Sequence, residues 1–355
     1  MTRFMLAGGG TAGHVNPLLS LADAIMADDS ANQVWALGTR EGLEANLVPE
    51  RGYELLTVER LPFPRKPSLY ALGFPLRFRR AISQVKSYLR ANQIDVVVGF
   101  GGYASAPAYL AAKSLGIPVV VHEANALPGW ANKLGAKSAK AVGVAIQSTP
   151  LANSVFVGMP LRKEIEAIAE YADKEAARIH FGLDPDTVTL LVTGGSLGAK
   201  RINETIEASR KVLAAAGIQV LHIMGGRSDL PEVHEKDYVR IAYCDRMDLA
   251  IAASNFAVSR AGASTVSEFA AVGLPAAYVP YPVGNGEQKL NVADLVAAEG
   301  GVLVLDADFT PSYVANNLVP LVSDSRELAK MASRAKKVGI ADGTARLLAL
   351  VKGVL

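Results

Sequence analysis

Cysteine, aromatic residues and net charge are all scarce in this chain of 355 residues. Its single cysteine, Cys244, excludes an internal disulfide framework and fits a reducing cytosol. The net charge of +2 gives no global reason to expect nucleic acid as a partner. Aromatic residues make up 6%, whereas glycine and alanine are abundant, which favours close packing of helices on a sheet in an α/β protein.

Secretory and membrane-spanning patterns are also missing. The chain runs from Arg3 through Ala7 directly into glycine, which is not the pattern of a signal peptide. The longest uncharged stretch, residues 141–161, has the length of a membrane span. It contains polar and helix-breaking residues such as Asn153 and Pro160, and in lipid their polar groups would lack hydrogen-bond partners. We therefore expect any membrane contact to be peripheral.

Strand-like and helical segments alternate through both halves, as in parallel sheets with crossover helices. A Gly/Pro-marked link around residues 157–162 divides an N-terminal domain, 1–160, from a C-terminal domain, 161–334. A helical segment at about 335–355 is expected to pack back on the first domain. We expect two Rossmann-like, doubly wound domains facing a cleft, with ligands at the carboxyl ends of the strands. The predicted strands lie at residues 4–7, 34–37, 95–98, 118–121, 141–145, 188–193, 219–224, 240–242, 256–259, 276–280 and 301–305.

The first glycine loop, residues 8–14, matches G-x-G-x-x-G between a strand and a helix. That pattern also suits a dinucleotide, which needs an acid at the end of the second strand. The second strand instead ends at Arg40, which suits a 2′-phosphate, so an NADP-dependent oxidoreductase stays open as an alternative. His14 begins the following helix, where the positive end of the helix dipole favours neutral imidazole. We predict a general base there, against the alternative of a histidine that only packs under the loop.

Two further loops follow strands in the same way. Residues 99–105 are rich in glycine, which suggests close approach of the backbone to a ligand. Asn125 follows another strand and suits a sugar hydroxyl, although a simple Asx turn is the alternative. In the second half, Ser196 suits a phosphate oxygen, and Arg162 in the link adds a positive charge. The five histidines and Cys244 have no metal-ligand spacing, so we expect no metal and no cofactor.

Residues 259–291 carry the most functional information. Residues 260–265 form a small-residue loop before a helix whose first N–H groups suit a diphosphate. We expect Glu268 on the first turn of this helix, as a partner for ribose hydroxyls. The alternative is a capping box formed by Thr265 and Glu268. Gln288 and Asn291 add neutral donors and acceptors, so the stretch suits a sugar nucleotide.

Residues 60–94 contain no acidic residue and form what we call the basic apolar face. Such a combination suits an anionic membrane surface better than nucleic acid. The residues predicted to contact the membrane are Leu72, Phe74, Leu76, Arg77, Phe78, Arg79 and Arg80.

Taken together, these motifs resemble the MurG family of bacterial cell-wall glycosyltransferases, over nearly the whole chain. The matching segments are Gly-Gly-Thr-Ala-Gly-His at 9–14, Gly-Gly-Tyr at 101–103, His-Glu-Ala-Asn at 122–125, Gly-Gly-Ser-Leu-Gly-Ala at 194–199, Arg-Ala-Gly-Ala-Ser-Thr-Val-Ser-Glu at 260–268 and Glu-Gln at 287–288. The chain has Ala12-Gly13 where the family often has Gly-Gly, and Glu287 where glutamine is common.

The resemblance implies the GT-B architecture and an inverting, metal-independent transferase. It would move N-acetylglucosamine (GlcNAc) from UDP-GlcNAc to the 4-hydroxyl of N-acetylmuramic acid (MurNAc) in undecaprenyl-diphospho-MurNAc-pentapeptide (lipid I), giving lipid II for peptidoglycan. It implies His14 and Glu268 as catalytic residues and Gly10, Gly101, Gly102 and Tyr103 as acceptor-diphosphate loops. The implied contacts to UDP-GlcNAc are Thr11, Ala12, Gly13, Asn125, Arg162, Ser196, Cys244, Ala263, Ser264, Thr265, Glu268 and Gln288.

The expected setting is the cytoplasmic face of the cell membrane, with peripheral attachment. The expected partners are UDP-GlcNAc, undecaprenyl-linked lipid I, an anionic membrane surface and other cell-wall synthesis proteins, but not nucleic acid. A related transferase with another lipid or natural-product acceptor is the second alternative.

Overall fold

The computed structural model describes residues 1–64, 66–226, 228 and 230–355. They form two compact α/β domains. The first domain comprises Met1–Arg162 and Asp342–Leu355, and the second comprises Lys163–Ala341. The segment expected to cross back at about residue 335 begins later, because the helix Ser325–Val338 belongs to the second domain.

The first domain is built on a seven-stranded parallel sheet. Its strands are Arg3–Ala7 (β1), Gln33–Gly38 (β2), Glu54–Thr57 (β3), Val96–Gly99 (β4), Val119–Glu123 (β5), Ala141–Val144 (β6) and Ser154–Phe156 (β7). The sheet order is β3-β2-β1-β4-β5-β6-β7. Its helices are Ala12–Asp28 (α1), Glu44–Glu50 (α2), Leu69–Ala91 (α3), Ser105–Ser114 (α4), Trp130–Ala136 (α5) and the C-terminal helix Gly343–Lys352.

The second domain has a seven-stranded sheet that is parallel except for one edge hairpin. Its strands are Thr189–Thr193 (β8), Gln219–Ile223 (β9), Val233–Glu235 (β10), Tyr238–Ile241 (β11), Phe256–Ser259 (β12), Ala276–Tyr278 (β13) and Gly301–Leu303 (β14), ordered β10-β11-β9-β8-β12-β13-β14. Its helices are Lys163–Glu170 (α6), Lys174–His180 (α7), Lys200–Ala208 (α8), Arg210–Ala215 (α9), Met247–Ala252 (α10), Ala263–Val272 (α11), Glu287–Asn291 (α12), Ala293–Ala297 (α13), Pro311–Tyr313 (α14), Val319–Ser323 (α15) and Ser325–Val338 (α16). A π-helical turn, Val314–Leu318, joins α14 to α15.

Central strands are buried on both faces, which explains their continuous apolar sequences. In the first domain, Leu6 and Val98 pack toward α1 and the C-terminal helix, whereas Met5 and Val97 pack toward the side of Val85 in α3. Within the described residues, no helix combines the length and apolar character that a bilayer crossing needs. The uncharged stretch 141–161 instead contains two short strands, β6 and β7.

Three strands were not predicted from the sequence, and all three lie at sheet edges. They are β3, β7 and β10. Each is three or four residues long and carries polar side chains, because an edge strand needs less apolar burial and is favoured when short. β10 is antiparallel to β11, with Glu235 opposite Tyr238.

Candidate functional site

The glycine loops of the first domain lie where its sheet order reverses. β1 pairs with β2 on one side and with β4 on the other. Residues 8–10 follow β1 and residues 100–104 follow β4. Ligands bind at such switch points in open α/β sheets. The two loops that the sequence singled out are therefore neighbours at a typical ligand position.

Contacts between these two loops account for much of their glycine content. A Cβ at Gly102, where φ is +80°, would lie 2.5 Å from the carbonyl oxygen of Gly9. A Cβ at Gly101, where φ is +97°, would lie 3.2 Å from Nε2 of His14. The sequence suggested that glycine here allows close approach to a ligand, and the structure gives a different reason, which is packing of one loop on the other. The proposed contact with an acceptor diphosphate stays a prediction.

His14 is held in one orientation at the start of α1. Its Nδ1 lies 3.1 Å from the carbonyl oxygen of Gly9 and 3.3 Å from Oγ1 of Thr11. Because a carbonyl oxygen can only accept, Nδ1 carries the hydrogen in the neutral imidazole, and Nε2 then has the lone pair. Nε2 is the nitrogen that faces Gly101. The half-buried imidazole is therefore in the tautomer that a general base requires.

A buried carboxylate, Glu44, lies under the first loop and was missed in the sequence. Its side chain is 1% exposed. Oε1 accepts hydrogen bonds from the backbone N–H and the hydroxyl of Thr39, and Oε2 accepts one from the N–H of Gly10 at 2.7 Å. A Cβ at Gly9 would lie 2.3 Å from Oε1. The amide of Gly10 is therefore already engaged by an anion.

This arrangement weakens the dinucleotide alternative. A pyrophosphate on the first loop would need loop amides, and a buried carboxylate beside Gly10 repels a second anion. Arg40, the proposed partner of a 2′-phosphate, lies 3.4 Å from Oγ1 of Thr57 through its Nε. The signal for Glu44 in the sequence was weak, because it follows Glu41 in a short segment that has the composition of a charged surface turn.

A second buried carboxylate, Glu123, organises the loop after β5. It accepts from the N–H groups of Asn125 and Gly129, at 2.9 and 3.0 Å, and from Nδ2 of Asn132 at 2.9 Å. The hydroxyl of Tyr109 donates to Oδ1 of Asn132. The backbone N–H of Asn125 is thus fixed by this network, and the predicted contact of its side chain with the sugar stays a prediction.

His122 is buried beside this network, against Phe100. Its Nε2 lies 3.0 Å from the carbonyl oxygen of Gly158, so Nε2 carries the hydrogen. Burial lowers the pKa of His122 to about 4, and electrostatic repulsion by His14 adds to the effect. His122 is therefore neutral near pH 7.

In the second domain, α11 begins at the end of β12, next to β8 at the reversal of sheet order. The N-cap residue is Gly262, which has no side chain that could cap the helix. Thr265 is the third helical residue, so the capping-box alternative is wrong. Glu268 is the sixth helical residue and lies on the second turn, not on the first turn as predicted. The first-turn amides of α11 keep the polarity that suits an anion.

Ser264 is the second residue of α11. Its hydroxyl oxygen is buried and has no hydrogen-bond partner among the described residues. A buried hydroxyl without a partner is costly, so this position favours a ligand oxygen. The same amide-rich turn contains Ala263 and Thr265.

The third glycine loop follows β8 and is also shaped by loop packing. Gly198 has φ +79°, and a Cβ there would lie 2.3 Å from the carbonyl oxygen of Met224. The N–H of Gly195 lies 3.3 Å from Oγ1 of Thr193, and the N–H of Gly198 donates to the carbonyl of Gly195. Ser196 is exposed at the tip of this loop.

The remaining predicted donor contacts have different surroundings. Oε1 of Gln288 accepts from the N–H of Tyr281 at 2.8 Å, which leaves its amide group as the donor. Asn291 is buried and donates to the carbonyl of Ala261, so it supports the loop rather than presenting itself to a ligand. Cys244 is buried in the loop before α10. Arg162 is the last residue of the first domain's first segment.

The basic apolar face is only partly exposed, which corrects two of its predicted members. Phe74 is 8% exposed and packs with Leu61 and Ala81, and half-buried Phe78 stacks on it at 5.4 Å. These rings stabilise α3 and are not free for lipid. Arg77 is half-buried and forms an ion pair with Glu59.

The exposed members form an apolar ridge with basic neighbours. Leu72 and Leu76 are 80% and 59% exposed, and Arg79 and Arg80 are also exposed. The sequence prediction missed Leu69, Phe63 and Trp130, which are exposed as well. The rings of Phe63 and Trp130 lie 4.7 Å apart. Trp130 belongs to a distant sequence segment, so only the fold shows that it lies on this face. Arg65, another basic residue of this segment, lies outside the described residues.

No group of histidine, cysteine and carboxylate side chains in the described part of the chain has the geometry of a metal site. The fold and site together define a two-domain α/β protein with a histidine on a glycine loop in one domain and a helix that begins after a glycine loop in the other. This is the class of GT-B glycosyltransferases.

Comparison with known proteins assigns the family. The model of the glycosyltransferase family 28 N-terminal domain matches residues 4–144, and that of the family 28 C-terminal domain matches residues 189–347. The chain belongs to glycosyltransferase family 28.

Similar proteins cover the whole chain. A UDP-N-acetylglucosamine–N-acetylmuramyl-(pentapeptide) pyrophosphoryl-undecaprenol N-acetylglucosamine transferase of Leifsonia xyli is 56% identical over 99% of this chain and 98% of its own length. The transferase of the same description from Streptomyces coelicolor is 49% identical over 98% and 96%. The crystal structure of MurG from Acinetobacter baumannii has a TM-score of 0.79 at 26% identity, covering 99% of this chain and all of that one. These relatives do not support the oxidoreductase or the transferase with another acceptor.

Proposed function

We propose that this protein transfers GlcNAc from UDP-GlcNAc to the 4-hydroxyl of MurNAc in undecaprenyl-diphospho-MurNAc-pentapeptide, giving lipid II for peptidoglycan synthesis. The observation that carries the proposal is the match in sequence to transferases of that description over 99% of the chain. The proposed chemistry has a physical basis in the two strand-loop-helix sites described above.

His14 is the proposed general base. Its Nδ1–H is held by the Gly9 carbonyl, so Nε2 is available to take the proton of the acceptor hydroxyl. A correctly placed general base contributes about 10² to 10⁴ in rate. Thr11, Ala12 and Gly13, on the same loop, are proposed to contact the donor sugar, together with Asn125.

The start of α11 is the proposed diphosphate site. Ala263, Ser264 and Thr265 present first-turn amides, and the hydroxyl of Ser264 adds a donor that has no partner among the described residues. Negative charge that develops on the departing UDP is stabilised by such preorganised donors. Arg162 and Ser196 are proposed to assist there.

The remaining donor contacts define the nucleotide and sugar. Glu268 is proposed to accept from the ribose hydroxyls, and the backbone at Cys244 to bind uracil. The amide of Gln288 is proposed to donate to the sugar. The contact of Gly10, Gly101, Gly102 and Tyr103 with the acceptor diphosphate is proposed through atoms other than the Gly10 amide, which Glu44 occupies.

Peripheral attachment to the cytoplasmic face of the cell membrane is the proposed setting. The exposed leucines of α3, with Arg79 and Arg80 beside them, support contact with anionic lipid. A polyprenyl-linked acceptor requires access to that surface. Association with other cell-wall synthesis proteins is part of the same proposal.

The decisive experiment measures product and donor affinity separately. Radiolabelled UDP-GlcNAc and a lipid I analogue should give labelled disaccharide-lipid, and absence of product would refute the proposed reaction. His14→Ala should lower kcat about 10² to 10⁴-fold with unchanged affinity for UDP. His234→Ala, an exposed histidine on β10, is the matched control and should keep full activity.

The diphosphate site has its own test. Ser264→Ala should raise the donor KM about tenfold, the worth of one hydrogen bond to a charged group, without lowering thermal stability. Ser267→Ala, on the same helix, should leave KM unchanged. An unchanged KM in Ser264→Ala would remove this hydroxyl from the donor site.

A further inference from the structure

The Gly9–Gly10 peptide group is bonded on both sides by side chains that can carry charge. Its carbonyl oxygen lies 3.1 Å from Nδ1 of His14, and its N–H lies 2.7 Å from Oε2 of Glu44. Carbonyl and N–H of a trans peptide point in opposite directions within one plane. The carboxylate, the peptide and the imidazole therefore form one aligned hydrogen-bonded chain.

We propose that Glu44 is a positioning residue for His14, acting through the Gly9–Gly10 peptide. The inference rests on the proposed role of His14 as base. In many sites a third group orients the base by a direct hydrogen bond. Here one peptide group separates the carboxylate from the imidazole. Hydrogen bonds in such a chain polarise one another, by about 10–30% per bond, so the carboxylate makes the Gly9 oxygen a stronger acceptor.

The surroundings of Glu44 fix it in this role. Both carboxylate oxygens accept from backbone N–H groups, of Thr39 and Gly10, and the side chain is 1% exposed. A Cβ at Gly38 or Gly42 would lie 2.4 or 2.0 Å from a Glu44 atom. Three glycines, including Gly9, thus form a pocket fitted to one carboxylate. A packing role alone would not require an anion in that pocket.

Other charged groups near His14 do not replace this effect. His122, from β5, is neutral above about pH 5 because burial lowers its pKa to about 4. Glu123 accepts a hydrogen bond from Nδ2 of Asn132, and it is this nitrogen, not the carboxylate, that lies next to Gly101. Arg60 interacts mainly with Tyr103 and only secondarily, through space, with Glu41 and Glu44. None of these groups hydrogen-bonds the Gly9 carbonyl, as far as the described residues extend.

The proposal predicts a change in the proton affinity of His14 itself. In Glu44→Gln, an amide donor faces the Gly10 N–H or the Thr39 donors, and the polarising charge is lost. NMR titration of labelled histidines, without substrate, should give a His14 pKa lower by about 0.5 unit or more, since the imidazolium loses stabilisation. The acid limb of kcat/KM should move to lower pH, and kcat should fall about tenfold or more with a nearly constant donor KM.

Two controls separate positioning from mere stability. Glu41→Gln removes the same charge from an exposed position three residues away and should leave the His14 titration unchanged. Thr39→Val removes one bond to the other carboxylate oxygen and should lower stability without moving the titration. A His14 titration in Glu44→Gln identical to wild type would overturn the proposal, even if the variant were less stable.

A measurement on the wild type covers the case in which Glu44→Gln does not fold. The amide proton of Gly10 should shift with the same midpoint as the His14 titration, because the two groups share one hydrogen-bonded chain. A Gly10 amide resonance that does not change as His14 titrates would overturn the proposed action of Glu44 through the Gly9–Gly10 peptide. Full activity of His14→Ala would refute the proposed base instead, and would leave the titration results intact.

Discussion

Replacing Gly102 by alanine tests whether the contact between the two loops of the first domain controls His14. The new Cβ would lie 2.5 Å from the carbonyl oxygen of Gly9, which holds Nδ1 of His14. Since real Cβ atoms keep at least 3.0 Å from such an atom, the Gly9 carbonyl must move by about 0.5 Å or the second loop must shift. Either movement changes the orientation of the proposed base.

The expected loss has two separable parts. Alanine at a positive φ costs about 1 kcal/mol, which lowers Tm by about 2–4 °C in a domain of this size. Displacement of a catalytic group by about 1 Å can cost about 10² in rate, so we expect kcat to fall about tenfold or more. Affinity for UDP should stay unchanged, because the proposed diphosphate site is in the other domain.

Gly116→Ala is the matched control. Gly116 has φ +72°, lies after α4 in the same domain, and has no atom of the described residues within 4 Å of an added Cβ. It carries the same backbone strain without the contact. Turnover of lipid I analogue and thermal unfolding should be measured for both variants. If Gly102→Ala keeps the kcat of Gly116→Ala, the coupling of loop packing to His14 is refuted.

Two further predictions concern the membrane and pH. The double variant Leu72→Asp, Leu76→Asp should sediment with phosphatidylglycerol vesicles at least tenfold less than wild type and should keep its turnover of a water-soluble acceptor. The control variant Val155→Asp, on edge strand β7, should sediment like wild type. Equal binding by all three proteins would contradict the exposed ridge as the lipid contact. Between pH 8 and pH 5, the free energy of unfolding should fall by about 2 kcal/mol for each of His122 and His222. Burial lowers their pKa in the folded protein to about 4 and about 3, whereas the same side chains in the unfolded chain take up protons near pH 6.5. Urea unfolding of wild type should show this loss, with an unchanged pH dependence in His234→Gln; a stability that stays flat over this range would contradict it.

The central architecture could be predicted because burial on both faces leaves a strong signal. Strands such as β4 and β8 have continuous apolar sequences and end in glycine loops. The edge strands β3 and β10 could not be predicted, since they are short and half-polar. Their pairing depends on neighbours distant in sequence, which one sequence does not reveal.

Candidate site residues can be named from the sequence where local chemistry is distinctive, and their roles stay predictions. His14 and the start of α11 were found because a glycine loop before a helix has a definite electrostatic consequence. Glu44 was not found, because its importance comes from contact with Gly10 across 34 residues. The exposure of Phe74 was wrongly predicted for a similar reason, since its burial depends on Leu61 and Ala81.

Two loops of nearly identical sequence pattern therefore have opposite electrostatic roles. In the first domain, the amide of Gly10 is bonded to a buried carboxylate and is not available to an anion, and the carbonyl of the same peptide orients the imidazole of His14. In the second domain, the amides of Gly195 and Gly198 donate to neutral oxygens, and at the start of α11 the hydroxyl of Ser264 has no partner within the part of the chain that the structure describes. A transferase needs both conditions, since it must remove a proton from one substrate and stabilise charge on the other. We therefore expect the buried side chain of Glu44, and not the glycine pattern, to determine the role of the first loop.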